Sequence, residues 1–169
     1  FDAGVFVPIV GHRDRDGRPI VYCRYARMDY TRWPPDTVLA ACLYMLERLV
    51  AEHGDACSRV GVSMLADCDG LGWANFHLET EKLGSKLLDD ALPVRIGYFV
   101  TVREPGILSA MWRLMSPFVS AKMRSRVRFL GADTARVADY FDAASVPREI
   151  GGALDFDARA FATAARLAE

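Results

Sequence analysis

The sequence lacks the clustered ligands and paired cysteines that mark metal sites and disulfide frameworks. It has three histidines and four cysteines, and no two cysteines have C-x-x-C spacing. Structural zinc sites and small disulfide scaffolds both depend on such spacing. We therefore expect no metal site and no disulfide framework, and a reducing compartment, the cytoplasm, as the place where the protein works.

A membrane span, a signal peptide and a dominant charge sign are also missing. No stretch reaches about 18 uninterrupted apolar residues, the minimum for a transmembrane helix, and no signal-peptide pattern is present. The 21 basic and 22 acidic residues give a formal net charge of −1, so no overall field favours nucleic acid as a partner. Because the chain opens at Phe1 without Met, we expect residues 1–169 to be one domain of a longer protein with other domains.

Catalytic motifs occur only in incomplete form. The segment GVSML at 61–65 lacks the second Gly of a nucleophile elbow, and no glycine-rich phosphate loop is present. The segment MLADCDG at 64–70 imitates the D-x-D loop of haloacid-dehalogenase-type phosphatases, with Asp67 as nucleophile and Asp69 as acid. The Thr or Val that should follow is absent, so this Mg²⁺-dependent phosphatase is a remote alternative. We otherwise expect no catalytic residues.

Apolar residues make up 51% of the chain, enough for a sizeable core. Patterns typical of strands and of helices alternate along the sequence, which predicts an α/β fold with a largely parallel sheet. The predicted strands are 18–26, 59–67, 96–104 and 126–131. The predicted helices are 34–50, a helix capped by Asn75 that runs through Leu87, 106–123, one capped by Asp133 or Thr134, and one from Asp157.

The segment GILSAMWRLMSPFVSAKM at 106–123 is unusually apolar for a helix. On a helical wheel it has one narrow polar stripe and two apolar faces, whereas a helix packed on a sheet needs only one. The polar stripe is Ser109, Arg113 and Ser116; one apolar face is Ile107, Met111, Leu114 and Phe118, and the other is Leu108, Trp112, Met115 and Val119. The segment is therefore either a helix covered on both sides, or one whose inner face lines a cavity and whose outer face meets a membrane.

A basic run follows this segment directly, at Lys122, Arg124, Arg126 and Arg128. Such a run is usually a solvated face. Beside an exposed apolar helix it also suits anionic lipid headgroups.

Four motifs, in order, resemble those of the CRAL-TRIO lipid-binding domain family. They are HRDRDGRPIVYCRYARMD at 12–29, VGVSMLADCDG at 60–70, the segment 92–131 that contains 106–123, and VPREIGG at 146–152. The resemblance implies a mixed, mostly parallel sheet floor covered by helices. It also implies a hydrophobic pocket for one lipid or lipophile, closed by a gate helix formed by 106–123. Members dock on membranes to exchange the lipid, and they need no further cofactor. The family's N-terminal helical subdomain is absent from these residues.

The resemblance also suggests site residues. The expected lipid-pocket residues are Ile107, Met111, Leu114, Met115 and Phe118 of the gate, with Phe99 and Thr101 of the preceding strand. For those two strand residues, the sequence leaves open which face of the sheet they occupy. For the whole set, ordinary core packing is the alternative.

In the tocopherol-transfer and retinaldehyde-binding branch, basic residues hold phosphoinositide headgroups at the membrane, and these positions fall on Arg95, Lys122 and Arg126. A fourth falls on Gly97. The fungal phosphatidylinositol-transfer branch has a lysine where this chain has Glu149, and an acid there disfavours a phosphoinositide inside the pocket. The alternative function is a lipid-responsive regulatory or interaction module within a larger signalling protein.

Overall fold

The core of the structure is a five-stranded sheet whose strands lie in chain order. The computed structural model describes residues 4–90 and 94–157. The strands are β1 (Phe6–Arg13), β2 (Pro19–Arg24), β3 (Val62–Asp67), β4 (Ile96–Val102) and β5 (Val127–Phe129). Strand β1 pairs antiparallel with β2, and the other neighbours are parallel. The predicted α/β class with a mixed, mostly parallel sheet is confirmed.

Four of these strands coincide with predicted ones, and β1 was not predicted. All six residues of the central strand β3 are buried, as its continuous apolar run indicates for a strand covered on both faces. Strand β1 lies at the edge of the sheet, contains Pro8, and has a register irregularity between Pro8 and Arg13. Proline and irregular pairing are tolerated at an edge, and they obscure the alternation by which a strand is recognised in sequence.

The helices are α1 (Pro35–His53), α2 (Ala56–Arg59), α3 (Leu78–Asp90), α4 (Ile107–Met115) and α5 (Ala121–Arg124). Helix α1 begins at a proline and is followed by Gly54, which has a φ of 53°. Proline at the start and glycine just after the end are the residues favoured at the two ends of a helix. Among the described residues, no helix is long and apolar enough to cross a membrane.

The predicted cap at Asn75 is wrong, because α3 begins three residues later. The Asn75 side-chain oxygen accepts a hydrogen bond from the Gly72 amide at 2.7 Å. Its nitrogen donates to the carbonyls of Ala26 and Met28 at 3.1 and 2.8 Å. Asn75 therefore joins the loop after β3 to the loop after β2.

The apolar segment 106–123 is shorter as an α-helix than predicted. Helix α4 ends at Met115 and continues as a 3₁₀ turn over Ser116–Phe118, and Val119 is extended. Pro117 has no amide hydrogen and cannot continue an α-helix interior. Ser120 then begins α5 by accepting a hydrogen bond from the Met123 amide at 3.1 Å.

The two C-terminal helix predictions have different outcomes. Asp133 caps a helix as expected, accepting from the Ala135 amide at 3.2 Å, but the helix is a 3₁₀ segment, Thr134–Asp139. The helix predicted from Asp157 falls on 158–169, outside the described residues.

The sheet has a solid face and a second face that is partly covered by helix α1. On the solid face, side chains such as Tyr22, Leu65 and Val100 pack against Phe141 and Ile150 of the C-terminal segment. On the other face, residues of β2 and β3 pack against Met45, Leu46 and Leu49 of α1, and α3 and α4 continue the cover.

A polar network fixes the turn between β4 and α4. Arg103 has a φ of 54°, an uncommon conformation for a residue other than glycine. Its guanidinium binds both carboxylate oxygens of Asp67, which is 7% exposed, and contacts Asp69 at 3.2 Å. Asp67 also accepts from the Tyr22 hydroxyl at 3.2 Å. The root of α4 is therefore joined to the end of the central strand.

We expect Arg103→Ala to lower the free energy of unfolding by about 2 kcal/mol, because it leaves the buried Asp67 carboxylate without its ion partner. Arg113→Ala, which removes the same charge from an exposed position on α4, should change it by less than about 0.5 kcal/mol. Urea unfolding of both variants provides the measurement. Equal stability of the two variants would contradict the structural role of the Asp67–Arg103 pair.

Candidate functional site

A cavity lies between the sheet and helices α1, α3 and α4. Its volume is about 170 Å³. Its wall is largely apolar and includes five of the chain's six methionines, which are Met28, Met64, Met111, Met115 and Met123. Methionine is flexible and polarisable and adapts to irregular apolar ligands. The composition of the wall suits a hydrophobic molecule.

The strand residues left undecided by the sequence, Phe99 and Thr101, both lie at the cavity wall. Side chains alternate across a strand, and the neighbouring Val100 and Val102 belong to the solid face. The register of β4 therefore directs Phe99 and Thr101 to the cavity.

Helix α4 contributes a different set of residues from the one predicted. Met111 and Met115 lie at the wall, together with Leu108 and Trp112. The other three predicted residues, Ile107, Leu114 and Phe118, lie away from this wall. Leu114 and Phe118 are 48% and 51% exposed, and Ile107 packs beside Cys68 and Leu71. The helix is rotated so that its second apolar face points inward.

Sequence analysis missed the parts of the wall that come from α1 and α3. Val38, Leu39 and Cys42 of α1 line the cavity, as do residues of α3 from Thr80 to Leu88. The α3 residues are Thr80, Glu81, Gly84, Ser85 and Leu88. Their spacing of three to four residues defines one helix face, and its small Gly and Ser members are the signal that could have indicated space beside it.

Two polar groups from different segments meet at this wall. Glu81 of α3 and Tyr30 both lie at the cavity wall. Burial raises the pKa of Glu81 to about 7, and the nearby Tyr30 hydroxyl offsets part of that rise. Burial together with the nearby Glu81 charge also raises the pKa of Tyr30 above its ordinary value, and the same causes raise the pKa of Cys42 to about 12. The wall thus contains one carboxyl group that titrates near neutral pH, among phenol and thiol groups that stay uncharged.

The three predicted headgroup residues are not part of the cavity wall. Arg95 and Lys122 are exposed, whereas Arg126 donates a hydrogen bond to the Ile96 carbonyl. Burial, with the nearby charges of Arg95 and Arg18, lowers the pKa of Arg126. The guanidinium groups of Arg95 and Arg18 are therefore close enough to Arg126 to affect its charge, and clustered positive charge favours anions.

The other basic residues of the run have structural contacts instead. Arg124 donates to the carbonyls of Ser116 and Val119 at 3.0 and 2.7 Å. Arg128 donates to the carbonyls of Ser125 and Val127 at 2.6 and 2.9 Å. Both arginines stabilise the irregular chain between α4 and β5.

Arg18 occupies the space beside Gly97, the position where the resemblance implies a fourth basic residue. A Cβ atom at Gly97 would lie 2.3 Å from the Arg18 Cδ. Arg18 is held by Asp14 and Asp16 at 3.1 and 2.7 Å and lies over the Tyr98 ring. A guanidinium group is thus present near that position, supplied by another part of the chain.

The geometry gives no support to the phosphatase alternative. Both oxygens of Asp67 accept hydrogen bonds from Arg103, and Asp69 contacts the same guanidinium. A nucleophilic carboxylate needs an accessible oxygen and a nearby cation site. Within residues 4–90 and 94–157, no group of three or more His, Cys, Asp or Glu side chains is arranged to hold a metal ion. All four cysteines are free thiols.

Comparison with known proteins gives consistent results. The family model for the CRAL/TRIO domain matches residues 4–152. The chain is 26% identical over 157 residues to Protein real-time of Drosophila melanogaster, covering 83% of this chain and 24% of that protein. It is 26% identical over 153 residues to human alpha-tocopherol transfer protein-like, covering 89% and 44%, and 27% identical over 157 residues to rat Clavesin-1, covering 88% and 42%. The chain therefore spans less than half the length of these curated relatives.

A solved structure supports the fold. The crystal structure of Sfh5 superposes with a TM-score of 0.64 at 11% identity, covering 82% of this chain and 50% of that one. The sheet topology and the family match agree. The chain belongs to the CRAL/TRIO domain family, whose members are generally lipid-binding and lipid-transfer proteins rather than enzymes.

Proposed function

We propose that this domain carries one hydrophobic lipid or lipophile in the cavity beneath α4 and transfers or presents it at membranes, without covalent chemistry. The observation that carries the proposal is the apolar cavity itself, whose wall is formed by the sheet and three helices. A lipid chain exposed to water costs about 0.8 kcal/mol per methylene. An apolar cavity recovers much of that free energy and so removes the main barrier to leaving a bilayer.

Helix α4 is the proposed gate. Its inner residues Met111 and Met115 contact the cavity, while Leu114 and Phe118 are exposed on the outside. An apolar outer face has no role in water, but it gains free energy when inserted at the boundary between headgroups and acyl chains. A gate with two apolar faces can therefore close over a lipid in water and open against a bilayer.

Arg95, Lys122 and Arg126 form the proposed docking surface for phosphoinositide headgroups. The surface adjoins the end of the gate, because α5 follows the 3₁₀ turn at 116–118. Each basic residue near an anionic membrane contributes about 1 kcal/mol, enough for reversible association. On this proposal the domain is a peripheral protein of cytoplasmic membrane surfaces, in keeping with its four free thiols.

The second candidate is a regulatory or interaction module that holds a lipid without transferring it. It is favoured by the 24% coverage of Protein real-time, because most of that relative lies outside the matched region. Movement of the bound lipid between donor and acceptor vesicles distinguishes the two functions. Retention of the lipid during repeated vesicle encounters would support the module.

The cavity assignment predicts opposite results for two adjacent residues of α4. Met115→Asp places a charge in the apolar cavity, so we expect at least a tenfold loss of bound lipid. Leu114→Asp places the same charge on the exposed side, so lipid retention should be unchanged while binding to vesicles weakens. Native mass spectrometry of the co-purified lipid and vesicle sedimentation measure the two effects. If both variants retain lipid equally, the proposed orientation of the gate is wrong.

The docking assignment predicts a charge-specific loss of membrane binding. Arg95→Gln combined with Lys122→Gln removes two exposed charges, and at about 1 kcal/mol each this should weaken binding to phosphoinositide-containing vesicles about 30-fold. Bound lipid should be unaffected. The control variant, Arg48→Gln with Arg136→Gln, removes two exposed charges elsewhere. Equal weakening by the control would show that only net charge matters and would refute a local headgroup site.

A further inference from the structure

The cavity wall contains polar side chains, and three of them, Asn75, Thr101 and Thr80, have partners within the protein. The Asn75 amide is bound to three backbone groups. The Thr101 hydroxyl lies within hydrogen-bonding distance of the Glu104 carboxylate and the Arg128 carbonyl, and the Thr80 hydroxyl is 2.9 Å from the His77 Nδ1 atom. These groups are occupied by structural hydrogen bonds and have little capacity left for a ligand.

Glu81 is different, because it lies at the cavity wall and, among the described residues, the Tyr30 hydroxyl is the one donor that acts on its carboxyl group. A carboxyl group has two oxygens, and the side-chain hydrogen bond that affects the pKa of Glu81 comes from the Tyr30 hydroxyl. The Tyr30 hydroxyl also lies 3.6 Å from the Met28 sulfur, which is a weak acceptor, and the Thr80 hydroxyl is near it. Buried polar groups normally find full hydrogen-bonding partners, so this pair has room for another one.

Among the described residues, no cationic side chain lowers the pKa of Glu81. The His77 ring lies on the far side of Tyr30, with the two ring centres 5.4 Å apart. The titratable groups that face it are the Tyr25 and Tyr30 phenols and the Cys42 thiol. On its own helix, Glu79 and Lys82 pair with each other at 2.8 Å, and the Lys82 ammonium lies over the Phe118 ring. A phosphate or carboxylate beside Glu81 would add a second negative charge to this apolar site, which is strongly unfavourable.

We propose that the Glu81–Tyr30 pair binds the head of the carried lipid and that this head is a neutral hydroxyl group. The inference rests on the proposed function, since it concerns the ligand of the same cavity. A hydroxyl both donates and accepts, so it can donate to the ionised carboxylate and can accept from the protonated acid. A carbonyl or ether can only accept, and an anionic head is repelled. The pair therefore selects lipophilic alcohols over fatty acids and phospholipids.

The test uses three fluorescent polyene lipids with the same chain and different heads: an alcohol, its methyl ether and the free carboxylic acid. Wild-type protein should bind the alcohol about tenfold more tightly than the ether, as expected for one additional hydrogen bond in an apolar site. The acid should bind more weakly at about pH 8 than at about pH 6, because Glu81 ionises between these values. Glu79→Gln, which alters the same helix outside the cavity wall, should behave as wild type.

Two substitutions separate charge from hydrogen bonding. Glu81→Gln keeps an accepting oxygen but cannot ionise, so it should keep most of the preference for the alcohol and bind the acid more tightly than wild type at about pH 8. The ligand's own ionisation is the same for both proteins and cancels in this ratio. Glu81→Leu should lose the alcohol preference. Tyr30→Phe, which removes a single oxygen, should reduce the preference and serves as the second variant where Glu81→Leu fails to fold.

Thermal unfolding without ligand gives an independent readout of Glu81. Its pKa is higher in the folded than in the unfolded protein. The stability from protonation is therefore present at low pH and is lost as the pH rises through about 7. The melting temperature of Glu81→Gln should exceed that of wild type more at about pH 8 than at about pH 5. A difference that does not change with pH would overturn the assignment of a titrating carboxyl group.

The outcomes for ligand binding and for the headgroup are distinct. Equal binding of all three probes by wild type, or a preference for the acid or for an amine-headed lipid, overturns the hydroxyl assignment and leaves the proposed carrier function standing. Failure of wild type to bind any probe or to retain any co-purified lipid overturns the carrier function itself. Loss of the alcohol preference in Glu81→Leu but not in Glu79→Gln supports the inference.

Discussion

Helix α4 covers a cavity where an ordinary surface helix would cover closely packed side chains, and the rest of the molecule is organised around this constraint. Protein interiors normally reach the packing density of organic crystals, and atoms that border a void lose their dispersion contacts. The four inward residues of α4 therefore contribute less to the stability of the empty domain than equivalent core residues would. A ligand that fills the space restores these contacts and stabilises the folded state by mass action.

Close packing elsewhere in the domain stabilises the fold. It lies on the opposite face of the sheet and at the turn before α4. Tyr22, Leu65 and Val100 are fully buried in the solid layer. The turn before α4 is held on one side by the Asp67–Arg103 pair and on the other by Glu104, which accepts from the Leu130 amide at 3.1 Å. The C-terminal end of α4 passes into a 3₁₀ turn with an exposed phenylalanine. If the gate moves as proposed, the anchored root is its pivot.

Sequence patterns correctly predicted strands and helices that depend on residues close together in the sequence. They failed where contacts between distant parts of the chain determine the structure. Continuous apolar runs predict buried parallel strands, and β3 matches that expectation closely. The edge strand β1 was missed because a proline and irregular pairing leave no clear alternation. Asn75 resembles a helix cap in sequence, but its amide is used by two distant backbone carbonyls. No local pattern could indicate those partners.

The cavity residues of α4 show the same limit in a sharper form. A helix with two apolar faces has no unique inward side in its sequence, so Leu114 and Phe118 were as plausible as Leu108 and Trp112. Which apolar face of α4 points inward depends on how α4 lies relative to Phe99 and Thr101 of the sheet. The register of β4 in turn decides that these two side chains face the cavity. Glu81 was missed for a related reason, since an acid on a helix is usually solvated. Only its position beside Tyr30 and Cys42 distinguishes it from its exposed neighbours.

The two proposed recognition sites have opposite electrostatic character, and this difference separates the docking lipid from the carried one. Outside the cavity, Arg95, Lys122 and Arg126 concentrate positive charge that attracts phosphates. Inside, the Glu81 carboxylate at the cavity wall repels phosphates.

The pKa values of the two sites agree with this difference. The lowered pKa of Arg126 indicates a surface that disfavours a further positive charge, and the raised pKa of Glu81 indicates a site that disfavours a further negative charge. A phosphoinositide drawn to the surface would gain no free energy by entering the cavity. A neutral alcohol would gain nothing from the basic surface and would lose little by leaving it. On these proposals the domain can bind two different lipids at its two sites. The basic surface selects the charged phosphoinositide, and the apolar cavity selects the neutral alcohol.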